Sequence, residues 1–297
     1  MSDEGAGREA VAAVPGHVTG FFSAHPDPDP LVAGSRGAGI TLTDGVRVRV
    51  EAGGEGVWLD GRRADVAPVG GVLDAFPASA AVRIESDLPV GAGFGVSGAA
   101  ALGTALAANA AFDAGRSAND LVGLAHAAEV EAGTGLGDVV AQARGGVPIR
   151  LEPGAPGHGR LDGVPVGPGR RVEYVTFGEV STERVVGGET ERLTRAGEAA
   201  LDRLCERPTL DRLMTLSRRF AGEAGLLTER AGEAIAAVEA AGGTAAMAML
   251  GDTVVSIGTA LSDAGYDPEV CEIRLRGASL VGEGRGGEGD GGESESG

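Results

Sequence analysis

The chain has 297 residues, 42% of them hydrophobic, which is enough for one large domain or two ordinary ones around a real core. Its 43 acidic residues outweigh 25 basic ones, all of them arginine, and the net charge of −18 disfavours nucleic acid and anionic membranes as partners. No apolar run approaches the ~20 residues of a membrane span, and the acidic start over residues 1–10 lacks the basic opening of a secretory signal, so a cytoplasmic protein is expected.

Residues 1–10 and the tail 282–297 (GEGRGGEGDGGESESG) are low-complexity and expected to be disordered. Residues 11–22 are apolar and interrupted by Gly16 and Gly20. Val46, Val48 and Val50 alternate with Arg47, Arg49 and Glu51, which predicts a half-buried strand over 40–51, with 57–59 as a pairing partner. Residues 80–86 predict another strand, ending at a glycine-rich loop. An alanine-rich buried helix is expected over 99–114, closed by Gly115. Ser117 with Asp120 forms a capping-box pattern that opens a second helix, which stops at Gly133.

Residues 146–151 read as a short strand, and 152–170 as a Pro- and Gly-dense loop near a domain boundary. That places an N-terminal domain over 11–165 and a C-terminal domain over 166–281. The second half predicts a strand over 172–177, helices over 189–207, 209–224 and 228–240, strands over 245–250 and 254–259, a turn at 266–268 and a final strand over 270–275. Strands and helices alternate without a strict βαβ rhythm, which favours an α+β fold over a doubly wound one.

Cys205 and Cys271 lie far apart and in no metal-ligand spacing, so neither a disulfide framework nor a zinc site is expected. The acidic, lysine-free, Gly/Ala/Val/Arg-rich composition is that of a protein from a salt-loving organism with a GC-rich genome. Excess negative charge keeps such a chain soluble, and concentrated salt screens its self-repulsion.

The loop reads Leu-Pro-Val-Gly-Ala-Gly-Phe-Gly-Val-Ser-Gly-Ala-Ala over residues 88–100. Gly91, Gly93, Gly95 and Gly98 leave a backbone whose N–H groups can turn inward, and the helix that follows adds unpaired N–H groups and a partial positive charge. Together they make a phosphate cradle, with the Ser97 hydroxyl at its mouth for a phosphate-bound Mg²⁺. Residues 93–98 also fit GxGxxG, but a dinucleotide fingerprint needs a second strand ending in an acid roughly 20 residues on. Asp113 stands at that distance after a helical stretch, TALAANAAF. The Walker-type P-loop is excluded because the chain has no lysine. A plain strand-to-helix turn explains one or two glycines, but not Pro89, three alternating glycines and Ser97 together.

The second constellation is His126, Glu129 and Asp138, the last following Gly133, Gly135 and Gly137. His126 and Glu129 are i, i+3 and share a helix face, whereas Glu131 points elsewhere. A glycine-rich turn can aim Asp138 back at that face. Phosphoryl transfer uses one carboxylate to hold Mg²⁺ on the phosphates and a second to position the acceptor hydroxyl and take its proton. The competing reading is a solvated helix face with a carboxylate at its C-terminal end.

These motifs resemble those of the GHMP kinases. Pro89, Gly91, Gly93, Gly95, Ser97, Ala99 and Ala100 match that family's phosphate-loop core; Phe94 replaces a leucine, Val96 stands at its first serine, and Gly98 precedes the alanine pair. The resemblance implies a two-lobed α+β fold, with an N-terminal domain like domain 2 of ribosomal protein S5 and a ferredoxin-like C-terminal domain. It implies ATP phosphates on Pro89, Gly91, Ala92, Gly93, Phe94, Gly95, Val96, Ser97 and Gly98. Ser97 and Glu129 are implied as Mg²⁺ ligands, and Asp138 as the catalytic base. The family's first motif corresponds to Pro15-Gly16-His17-Val18; the basic residue several members carry there has no lysine to supply it here. The strings GHVTGFFSAH (16–25), GSRGAG (34–39) and AMLG (248–251) resemble the pantoate kinase members. That likeness implies pantoate as acceptor, with Arg150 clamping its carboxylate and Ser23 and His126 as polar contacts; Arg144 is a rival cation. Gly242-Gly243-Thr244 with residues 247–251 resembles the third motif, which closes over nucleotide and substrate. Alternative acceptors are mevalonate, homoserine and shikimate. A nucleotide-binding regulator without phosphotransfer and a NAD-dependent oxidoreductase are the readings from other classes. A homodimer stays open.

Overall fold

The computed structural model describes residues 8–178 and 190–282. The expected disordered segments over 1–10 and 282–297, and the first residue of the helix expected over 189–207, fall largely or wholly outside those residues. Glu9 and Ala10 do not belong to such a segment: they open β1 (Glu9–His25), paired with Glu51 and Val50.

Valine alternation builds the first hairpin. β1 runs antiparallel to β2 (Gly34–Ala52), and Val14, Val46, Val48 and Val50 face the core while Arg47 and Arg49 face water. Register shifts between Pro15 and Gly16 and between Thr19 and Phe21 mark bulges at the glycine interruptions. A bulge re-aims the side chains beside it, and His17 lies between the two. The remaining strands of this sheet are β3 (Gly56–Leu59), β4 (Arg62–Arg63), β5 (Ala80–Ser86), β6 (Val147–Glu152) and β7 (Arg160–Val164), together with β12 (Ser279–Val281). The order is β12-β1-β2-β5-β3-β4, with β6 branching from β2 and β7 from β6. Residues 57–59 therefore pair parallel with β5, not with β2 as expected. β7 lies inside the segment expected to be loop, held by β6.

Four helices belong to this half: α1 (Ala67–Leu73), α2 (Val96–Ala111), α3 (Ala118–Ala132) and α4 (Asp138–Arg144). α2 is apolar all round and packs between β1 and β2 on one side and α1 and α3 on the other. It starts at Val96 rather than residue 99, so Ser97 and Gly98 sit in its first turn.

The second sheet holds β8 (Arg171–Gly178), β9 (Ala245–Met247), β10 (Asp252–Ile257) and β11 (Glu269–Glu272). Its order, β11-β8-β10-β9 and wholly antiparallel, is the fourth-first-third-second arrangement of a ferredoxin-like unit. Its helices among the described residues are α5 (Thr190–Glu206), α6 (Leu210–Glu223), α7 (Glu229–Ala240) and α8 (Ala260–Asp263). The sheets change over between Val164 and Arg171, and β12 then returns to the first. One apolar core runs through both halves, and Phe21 and Phe22 meet Phe220 across the junction at ring separations of 6.5 and 6.0 Å. Among the described residues no helix is long and apolar enough to cross a membrane.

Candidate active site

The glycine-rich loop leaves β5 and enters α2 with Gly91, Gly93 and Gly95 all at positive φ (77°, 90° and 65°) while Ala92, Phe94 and Val96 turn into the core. That alternation turns successive N–H groups to one side, the geometry of an anion nest. Gly95 is the N-cap of α2 and offers no side chain to its first-turn N–H groups, which stay free for an external anion. A Cβ on Gly95 would lie 2.9 Å from Asp138 Cγ, so only glycine allows the loop this close to the carboxylate. Pro89 and Val90 stand exposed at the rim.

Both halves of the protein hold the loop. The His17 N–H donates to Phe94 O at 2.9 Å. The Phe94 ring meets Tyr174 edge-on at 4.9 Å, and the Tyr174 hydroxyl donates to Asp44 at 3.1 Å. Thr253 Oγ1 donates to Ala92 O at 2.8 Å. A Cβ on Gly93 would lie 2.9 Å from Met249 O, so the 248–251 string is a wall of the loop.

Glu129 is placed by α3. The Ser117–Asp120 capping box starts that helix and Gly133, at φ 69°, ends it, as the sequence predicts. Glu129 is 2% exposed. Its carboxylate accepts from Thr134 Oγ1 at 2.8 Å. Burial pushes its ionisation up to about 7; hydrogen bonds from Thr134 and Ser97 oppose the rise and the Asp138 charge adds to it. A Cβ on Gly135 would overlap Glu129 Oε2 and lie 3.6 Å from Asp138 Oδ2, so the two carboxylates flank this residue.

Asp138 is the first residue of α4, with Gly137 as N-cap. It is not simply a turn residue, and its carboxylate benefits from the helix start. Its Oδ1 lies 2.6 Å from His17 Nδ1, and a quarter of its side chain is exposed, at 25%. Burial alone would raise its pKa, but the hydrogen bond and charge of His17 and the nearby Arg150 outweigh that and hold it below the ordinary carboxylate value. His17 is fully buried, and burial lowers its pKa against the pull of Asp138.

Arg150, on β6, is 1% exposed, and its Nε and Nη1 find no partner among the described residues. A Cβ on Gly137 would lie 2.6 Å from that Nε, so the guanidinium lies beneath the start of α4. Burial brings its pKa down to about 10, partly offset by Asp138, and it stays charged at neutrality. Arg144, the rival cation, packs against Gly163 and donates to Gly145 O at 3.1 Å.

The structure thus brings together residues 91–98, Glu129, Asp138 and Arg150. Ser23 and His126 occupy the far end of the β1–β2 hairpin, where the Ser23 hydroxyl meets His25 Nε2 at 2.9 Å and His126 Nε2 meets Ala33 O at 2.8 Å. Neither hydrogen-bonds Glu129, Asp138 or Arg150 among the described residues. Sequence reasoning left out Gln142, whose Nε2 donates to Gly95 O at 2.8 Å, and Thr253, and it gave His17 no role. The signal for His17 was its place between two strand glycines.

The donor set suits Mg²⁺, which takes few protein ligands, all oxygen, and shares the rest of its shell with phosphates and water. Ser97, in the first turn of α2, and Glu129 supply a hydroxyl and a buried carboxylate. Among the described residues no group of three or more His, Cys, Asp or Glu could hold a metal by itself.

Residues 67–146 match the family model described as the GHMP kinases N terminal domain. A pantoate kinase from Methanospirillum hungatei is 32% identical over 84% of this chain and 87% of its own length. A pantoate kinase from Thermococcus kodakarensis is 34% identical over 73% of this chain and 76% of its own. A solved structure described as a phosphotransferase related to the CoA biosynthesis pathway superposes with a TM-score of 0.82 at 31% identity, covering 92% of this chain and 98% of that one.

Proposed function

The chain belongs to the pantoate kinases of the GHMP kinase family, and from that membership we propose that it transfers the γ-phosphoryl group of ATP to the 4-hydroxyl of (R)-pantoate. The products are 4-phosphopantoate and ADP, on the route to coenzyme A. The observation that carries the chemistry is the contact of Gly95 with Asp138, which sets a phosphate nest directly against an ionised carboxylate.

In this reading Pro89–Gly98 receives the ATP phosphates on its inward N–H groups. Ser97 and Glu129 would hold Mg²⁺, which would supply positive charge to the phosphates. Asp138 accepts a hydrogen bond from the 4-hydroxyl and orients its oxygen toward the γ-phosphorus. As the new P–O bond forms and the bond to ADP breaks, the hydroxyl proton passes to Asp138 and then to solvent. Phosphoryl transfer draws mainly on positioning and charge, so a carboxylate with a low pKa suffices, because the proton leaves late. Arg150 grips the pantoate carboxylate with donors that have no partner among the described residues, a charge-assisted pairing that also relieves its burial.

The charge balance supports work at high salt, and the two distant cysteines support a cytoplasmic setting. The test is ADP release on adding pantoate to enzyme, ATP and Mg²⁺ in concentrated KCl. Asp138→Asn and Glu129→Gln should each lower kcat by about 100-fold or more. Near-normal turnover in either variant removes that residue's assignment.

A further inference from the structure

His17 makes two bonds that no other residue combines among the described contacts. Its side chain meets the Asp138 carboxylate at 2.6 Å, and its backbone N–H holds Phe94 O of the phosphate loop at 2.9 Å. We propose that His17 is a positioning residue: it fixes the acceptor-side carboxylate and the phosphate-binding loop relative to one another, so that hydroxyl and γ-phosphoryl group meet in line. This rests on the reading of Asp138 given above.

The chemistry of the imidazole supports a fixed role. An ionised Asp138 only accepts, so Nδ1 carries the proton and donates it. Nε2 is buried without a partner among the described residues, and a Cβ on Gly39 would lie 2.5 Å from it. A second proton there would leave a buried charged N–H unpaired, which is far more costly than an unpaired acceptor. Burial lowers the pKa of His17 in agreement. The ring is thus a neutral strut with one donor, and a half-turn of the ring would set Cδ2–H against the carboxylate in place of the Nδ1–H donor. The position is also built by the backbone. The bulges at Pro15/Gly16 and Thr19/Phe21 bracket it, which frees His17 N to reach Phe94 while the ring points at α4. A misplacement of about 1 Å at a reacting group costs on the order of 100-fold in rate.

The experiment compares His17→Asn, His17→Gln and Asp138→Asn, with the doubles, by steady-state kinetics with pantoate and ATP. Asparagine places its amide nitrogen near Nδ1 and keeps a donor to Asp138; glutamine places it near Nε2 and does not. Both are polar, and both keep the backbone bond to Phe94. We expect His17→Gln to lower kcat by about 100-fold, His17→Asn to stay within about tenfold of wild type, and KM for ATP to move less than about threefold in both. In the Asp138→Asn background, His17→Gln should cost less than about threefold more, because its effect passes through Asp138. Equal losses in Asn and Gln, a rise in KM for ATP that matches the fall in kcat, or a full additional loss in the double overturns the proposal. If Asp138→Asn itself turns over normally, the reading beneath it fails and the proposal falls with it. If Asp138→Asn is crippled but His17→Gln is normal, only the proposal falls.

Discussion

Glu129 ties the stability of the chain to its site, and replacing it by glutamine separates the two. Below pH 4.5 the carboxyl is protonated in both folded and unfolded chains and contributes no pH dependence. As pH rises from there the unfolded chain gives up its proton, while the folded chain keeps its own until about 7. The folded state binds more protons across that window, so stability falls as pH rises. An ionisation moved from 4.5 to about 7 corresponds to about 3 kcal/mol at about 1.4 kcal/mol per pH unit. At 2% exposure the group is not relieved by solvent screening. Glutamine keeps an acceptor for Thr134 and Ser97 and has no charge to bury. Denaturant unfolding in EDTA at pH 5 and pH 8 should therefore show Glu129→Gln gaining about 2.5 kcal/mol relative to wild type at the higher pH, and becoming the more stable protein there. Titrating groups apart from Asp138, whose charge is coupled to that of Glu129, are common to both proteins and drop out of the difference. Parallel pH dependence, or a glutamine variant less stable at pH 8, refutes the reasoning.

Arg150→Ala should raise KM for pantoate by more than tenfold and KM for ATP by less than threefold, on the order expected for a charged hydrogen-bond pair; equal rises count against the clamp. Gly95→Ala forces a left-handed φ of 65° on a residue with a Cβ, costing about 1–2 kcal/mol, and pushes on Asp138. It should lower kcat by more than its loss in Tm explains, and a fully active Gly95→Ala enzyme contradicts the contact. Raising KCl from 0.1 to 2 M shortens the Debye length from about 10 Å to under 3 Å. Scanning calorimetry should therefore show Tm climbing with KCl in a chain of charge −18, and a flat response removes the reading of its composition as salt-adapted.

Local signals were legible in the sequence wherever a few neighbouring residues decide the outcome. Ser117, Asp120 and Gly133 mark α3 because capping is a matter of side chains within one turn. The strand over 80–86 and its exit into a glycine-rich loop are likewise local. Pairing was not legible. Residues 57–59 read as a strand, but nothing local names its neighbour, and the parallel partner, β5, lies across a crossover. The start of α2 at Val96 was hidden because glycine and serine read as loop, whereas Gln142 on a distant helix holds Gly95 O and continues the helix backwards. Glu129, Asp138 and Arg150 were legible as chemistry. Their mutual placement was not, since it depends on three glycines, Gly95, Gly135 and Gly137, each allowing a contact that a Cβ would block. His17 needed the bulges, which follow from strand register. β12, three exposed residues long, carries no pattern by itself.

The central claim is that this site phosphorylates pantoate. Coupled ADP release at high KCl, with pantoate, homoserine, mevalonate and shikimate in parallel and the product identified by ³¹P NMR, tests it most directly. The account predicts ADP formation with pantoate well above the other three, in step with a primary phosphate ester on the 4-oxygen. Turnover of another acceptor with pantoate inert would contradict the acceptor, and nucleotide binding without turnover of any would contradict the kinase.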